Sequence, residues 1–184
     1  CAAGHKGLYG PMGTGLLIAR DGEKLQTLLE GGTGSSSRLL THPEEMPEHL
    51  ESGTLNVPGI AGLLAGMRWV KGQRGLPERE MGLCRQLWEG LHRMPGVKLY
   101  LPKPEVRFTA PVLSFNVGEK PSEQVAASLS QRGILVRAGL HCAPLMHRSL
   151  GTERTGAIRV SLSPHNTVRE IKVFLNAVRR MTLS

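Results

Sequence analysis

Long apolar runs are missing from this chain: none approaches the roughly 18 residues that a membrane-spanning helix needs, which excludes a helical span. The first residues lack the basic-then-apolar profile of a secretory signal. Cysteine is limited to Cys1, Cys84 and Cys142. That odd, scattered set excludes a disulfide framework and a CxxC-type zinc site, and it fits a reducing cytoplasm. Aromatic residues make up only 4%, and the net charge of +8 is not gathered into a patch. The densest basic group, Arg179–Arg180, is small and falls in a helical pattern, so nucleic acid is not an expected partner. Such a surface instead favours small anions such as phosphate and carboxylate groups. What the chain does have is glycine and proline, 23 and 12 of them among 184 residues, with 40% hydrophobic residues. This composition suits a buried core built from many short elements joined by turns. The abrupt opening on Cys1, with no element ahead of a glycine-rich stretch, suggests a piece of a longer protein or a processed form.

The pattern along the chain is α/β. Residues 14–19 (TGLLIA) read as a short buried strand, and 22–29 as a short helix. Residues 30–56 look irregular, and an irregular stretch of that length is usually functional or partner-binding. From Pro58, the residues Ile60, Leu63, Leu64, Met67 and Val70 recur at helical spacing. A second helix is expected from Pro77 to Arg93, with Gly72–Gly75 between the two as the domain boundary. Beyond Pro95, strands are expected at 97–101, 110–117, 134–138 and 157–163. A helix from Ser122 to Arg132 should stop at Gly133, and a last helix should open on the capping box Thr167-Val-Arg-Glu170. Residues 95–184 thus read as helices against a short sheet.

Four local groups carry chemistry. Gly4-His5-Lys6 precedes a run of glycines. A lysine whose burial weakens its charge can attack an aldehyde to form a Schiff base, and small neighbours admit a bulky ring; a solvated turn is the plain alternative. In Glu51-Ser-Gly-Thr-Leu-Asn56, Gly53 and Thr54 could offer N–H groups and a hydroxyl to a phosphate, or could simply cap a helix. In Arg137-Ala-Gly-Leu-His-Cys-Ala143, Cys142 is either a nucleophile, with His141 and Arg137 favouring its thiolate, or an inert small thiol. No further ligands at suitable spacing support a metal. Arg159, on the expected strand AIRVSLS, needs a partner: a substrate carboxylate taken as a bidentate pair, or a structural glutamate.

In this order and at these separations, the four groups resemble the C-terminal half of a cysteine desulfurase or selenocysteine lyase-like enzyme of the class V aminotransferases. These are pyridoxal-phosphate enzymes of fold type I. The resemblance covers nearly the whole chain and runs on through Ile158-Arg159-Val-Ser-Leu and Asn166-Thr167-x-x-Glu170-Ile. It implies an α/β chain in which residues 1–75 end the large cofactor-binding domain and 76–184 form the small C-terminal domain. By this resemblance Lys6 would hold the cofactor aldehyde and later shuttle a proton, with His5 near the phosphate. Thr54 would reach the phosphate in the neighbouring subunit of a homodimer. The irregular segment, with Gly32-Thr33-Gly34-Ser35 at its tip, would cross that interface. Arg159 would bind the cysteine carboxylate, flanked by Arg137. Cys142 would take the sulfur as a persulfide, leaving alanine, and a sulfur-acceptor protein is a possible partner.

The family is roughly twice as long. Its N-terminal half carries a glycine-rich phosphate turn, a histidine stacked on the cofactor and an aspartate–glutamine pair, none of which precedes Lys6 here. The 184 residues alone are therefore expected to bind pyridoxal phosphate weakly or not at all and to turn over negligibly. Two alternatives stay open: a selenocysteine lyase or other β-eliminating lyase of the same class, and a non-catalytic interaction module.

Overall fold

The computed structural model describes residues 1–107 and 109–183. It divides into two compact units, Cys1–Arg74 and Gly75–Ser184.

The first unit has little regular structure. A two-residue ladder pairs β1 (Ala2–Ala3) antiparallel with β2 (Gly15–Leu16). The buried strand expected over 14–19 is not formed: pairing ends at Leu16, and Leu17 and Ile18 are exposed. The helix expected at 22–29 shrinks to one 3₁₀ turn, Gly22–Lys24, and the irregular stretch contains one more, Glu48–Leu50. Helix α1 spans Val57–Gly72, with Pro58 in its first turn and the Asn56 side chain accepting from the Gly59 N–H at 3.0 Å. Its packed face is not the apolar stripe read from the sequence. Gly59, Leu63 and Gly66 are buried, whereas Ile60, Leu64 and Met67 are exposed. The reason is close approach: a Cβ on Gly62 would meet Pro11, and one on Gly66 would strike the Tyr9 backbone. A glycine face lets the loop of residues 4–14 lie directly on the helix.

The second unit holds the core. Strand order is β3 (Val97–Leu99), β4 (Val112–Val117), β5 (Ile158–Ser161), all antiparallel, with Phe115 opposite both Leu99 and Ile158. Helices α2 (Leu76–His92), α3 (Ser122–Ser130) and α5 (Val168–Thr182) cover it. Leu87, Leu91, Leu113, Phe115, Leu129, Ile158 and Val178 are fully buried in one cluster. Cys84 lies among them, its thiol pushed up to about 11 by burial. The capping box forms as read: the Thr167 hydroxyl accepts from Glu170 N–H, and the Glu170 carboxylate accepts from Thr167 N–H at 2.6 Å. The Thr167 N–H, and then the Thr167 hydroxyl donating to the same carboxylate, hold the Glu170 carboxyl below its ordinary range. Gly133 sits at φ 73°, the left-handed stop after α3. The strand expected over 134–138 is reduced to one bridge, Arg137 opposite Arg159. A short helix that periodicity did not signal, α4 (Pro144–Leu150), follows the cysteine.

Candidate functional site

His5 and Lys6 sit on the loop laid against α1. Gly4 N–H donates to Thr14 O at 2.9 Å, Gly10 N–H to Gly4 O at 2.8 Å and Tyr9 N–H to Lys6 O at 3.0 Å, closing the loop on itself. Tyr9, at φ 55°, sets its ring edge-on to Trp69 with centroids 5.0 Å apart. Lys6 and His5 project from this fixed frame and are exposed. The burial that would weaken the lysine charge is thus not supplied within its own unit. Among the described residues the Lys6 ammonium has no ion-pair partner. Thr54 is exposed two residues ahead of the cap that Asn56 provides, so capping does not occupy its hydroxyl. Beside it Gly53, at φ 80°, donates its N–H to Gly32 O at 2.8 Å and ties the helix entry to the irregular segment.

Arg137, Cys142 and Arg159 are brought together in the second unit. Arg137 and Arg159 exchange both backbone hydrogen bonds, at 3.1 and 2.7 Å. The loop from Gly139 to Ala143 is then pinned from several sides. Gly139 N–H donates to the fully buried Ser122 Oγ at 3.1 Å, Ala157 N–H donates to Gly139 O at 3.1 Å, and Ala143 N–H closes onto Leu140 O at 2.8 Å. The crossing is tight: a Cβ on Gly156, at φ 60°, would lie 2.5 Å from Ser122 Oγ and 2.9 Å from Gly139 Cα. Cys142 sits at the outer edge of this loop, exposed and in the left-handed region at φ 60°.

Electrostatics here differ from the sequence reading in one respect. His141 is not a cation beside the thiol. Burial, followed by the charges of Arg159, His147 and Arg137, holds its pKa below the ordinary value and outweighs the opposing effect of its bond to Ala157. The neutral ring donates from Nε2 to Ala157 O at 2.9 Å, and its buried Nδ1 has no partner. His147, on α4, lies 5.9 Å away ring to ring, with its Nδ1 2.8 Å from Thr152 Oγ1. Arg159 is half-buried, and its buried Nε has no hydrogen-bond partner. Among the described residues no carboxylate forms an ion pair with it. A buried donor left unpaired is costly, and such groups are commonly completed by a ligand. Sequence reasoning missed Ser122, Gly156 and Ala157 as the frame of the cysteine loop. The glycine just ahead of the strand was the available signal.

Nearly the whole chain is similar to known proteins. A probable cysteine desulfurase of Synechocystis is 31% identical over 97% of this chain and 43% of its own length. The cysteine desulfurase of Klebsiella pneumoniae is 36% identical, with 96% and 44% covered. The solved apo cysteine desulfurase of Thermococcus onnurineus superposes with a TM-score of 0.81 at 31% identity, covering 98% of this chain and 46% of that one. The chain therefore spans less than half the length of these relatives, and its fold is the C-terminal part of a fold type I pyridoxal-phosphate enzyme. The family model for class-V aminotransferases matches residues 1–174, and the chain belongs to that family.

Proposed function

We propose that this chain contributes the lysine, the carboxylate-binding arginine and the sulfur-accepting cysteine of a cysteine desulfurase. The observation that carries this reading is the unpaired, buried Arg159 Nε on the strand bridged to Arg137, beside a pinned loop that presents an exposed thiol. An unsatisfied guanidinium N–H fits a substrate carboxylate, and a soft, exposed nucleophile fits sulfur. The residues also fit pyridoxal phosphate: a free, exposed amine at Lys6 on a loop locked by its own backbone, and a Thr54 hydroxyl not used for capping. When bound, that group supplies the electron sink that makes the substrate carbon–sulfur bond breakable.

The residues of this chain then have separate duties. Lys6 Nζ would hold the cofactor aldehyde and would move protons at the substrate carbons, and His5 and Thr54 would hold the phosphate. Arg159 orients the carboxylate and Arg137 borders it. Cys142 Sγ forms a bond to the substrate sulfur as the sulfur–carbon bond breaks. The electron pair stays with carbon, which takes a proton, giving alanine and a persulfide on Cys142. Cysteine as substrate, a homodimer that brings Thr54 to the neighbouring site, a sulfur-acceptor protein and a cytoplasmic setting all belong to this proposal.

The test supplies the rest of the enzyme. Joined behind the N-terminal half of the Klebsiella relative and given pyridoxal phosphate, the chain is expected to turn L-cysteine into alanine and reductant-releasable sulfide. Lys6→Ala should abolish cofactor attachment, and Cys142→Ala should abolish sulfide from cysteine. A borohydride-trapped cofactor on any lysine other than Lys6 overturns the assignment. Retained selenocysteine turnover in Cys142→Ala would move the reading to a selenocysteine lyase.

A further inference from the structure

We propose that His141 is the positioning residue for the Cys142 thiol, acting through a side-chain strut to the backbone just ahead of the strand that carries Arg159. The role rests on the reading of Cys142 as the sulfur acceptor. His141 and Cys142 are consecutive non-glycine residues in the left-handed region, at φ 51° and 60°. That conformation is unfavourable for an L-residue, and it persists only where the surroundings over-determine it. The backbone bonds of Gly139 and Ala143 hold the two ends of the loop but not its middle. Among the described residues, the bond from His141 Nε2 to Ala157 O is the only hydrogen bond that either left-handed residue makes.

Ala157 thus grips the loop twice, donating to Gly139 O and accepting from the His141 ring. It is fully buried and directly precedes the strand bearing Arg159, so the strut ties the position of the thiol to the position of the carboxylate-binding arginine. The neutral ring has one N–H, and that N–H is committed to the strut. Nδ1 carries the lone pair.

The experiment is nuclear magnetic resonance and hydrogen exchange on this chain, with no cofactor or substrate. In the unaltered protein, the ring nitrogens of His141 should report the Nε2–H tautomer at neutral pH, and the Cys142 carbon shifts a left-handed backbone. His141→Ala should move the Cys142 shifts toward averaged values. It should also raise exchange of the Gly139 and Ala143 amides, the two in the loop that donate hydrogen bonds, by about tenfold or more while leaving the melting temperature of the second unit nearly unchanged. His141→Gln, whose amide can donate in place of Nε2–H, should restore most of the protection. The Nδ1–H tautomer in the unaltered protein overturns the proposal whether or not any variant folds. So do Cys142 shifts in His141→Ala that match the unaltered protein, or equal loosening by alanine and glutamine. None of these readouts involves pyridoxal phosphate or turnover, so failure of Lys6 to take the cofactor would leave them unmoved and would count against the function alone.

Discussion

The two units solve opposite problems. Gly75–Ser184 buries Leu83, Leu87, Leu91, Leu113, Leu129, Phe115 and Phe174 in one cluster, although Leu135, Leu145 and Leu183 stay exposed, whereas Cys1–Arg74 leaves Leu28, Leu29, Leu40, Met12 and Ile18 facing outward, Leu40 wholly so. Charge divides as unevenly. The first unit has seven basic and seven acidic residues, so the whole +8 surplus lies in the second. The difference teaches that the cysteine loop is held by a self-sufficient core, and the lysine loop by backbone closure on a glycine-faced helix. The largest expected effect follows from that contrast. Phe115→Ala should cost about 3–5 kcal/mol in denaturant unfolding, whereas Leu40→Ala should stay within about 0.5 kcal/mol. Comparable losses from both would break the comparison.

A smaller effect sharpens it at the site. Gly156→Ala puts a methyl into Ser122 Oγ and the Gly139 backbone from a left-handed residue. It should cost on the order of 1–3 kcal/mol and displace the Cys142 loop, seen as changed amide shifts from Gly139 to Ala143. Next comes Thr167→Ala, which removes the hydroxyl half of the α5 capping box, leaves the backbone N–H that donates to Glu170, and should cost about 1 kcal/mol, with no change in the first unit. Thermal unfolding followed by circular dichroism measures both.

Legibility followed local chemistry. The box at Thr167–Glu170, the left-handed stop at Gly133 and the long helices α1, α2 and α5 are written in short-range pattern, and the structure has them. The failures came where tertiary pairing decides. TGLLIA has strand propensity, yet its own unit offers a partner only as far as Leu16, so Leu17 and Ile18 stay unpaired. Residues 134–138 contribute one bridge for the same reason. On α1 the apolar residues drew attention although glycines do the packing, because hydrophobic periodicity cannot register an absent side chain. Cys142, Arg137 and Arg159 are singled out only by resemblance to a family, not by local pattern. The strut from His141 was not legible, since nothing in the spacing of residues 141 and 157 announces a contact that depends on a left-handed turn.

The smallest expected effect is one of sign, and it separates the units most cleanly. In the first unit both His49 ring nitrogens face backbone carbonyls, Nδ1 to Pro43 O at 3.0 Å and Nε2 to Leu25 O at 2.9 Å. Both can donate only when the ring is protonated, so the bonds to Leu25 and then Pro43, with Glu44 nearby, raise its pKa. A raised folded value means that the stabilisation is full below the ordinary histidine value of about 6.5 and is lost as pH climbs through the folded one. In the second unit the His141 value is lowered, by burial first and then by Arg159, His147 and Arg137. Its contribution is therefore full above about 6.5 and is lost as pH falls through the depressed value. Hydrogen exchange corrected for intrinsic rates, stepped from about pH 8 to about pH 5 around that midpoint, should show opposite trends. Protection of the Leu25–Leu50 segment should rise as that of Gly139–Ala143 declines. His49→Gln should flatten the first trend and His141→Gln the second, each without touching the other. Two loops that loosen together on acidification would mean that the ring bonds assigned to these histidines do not govern either one.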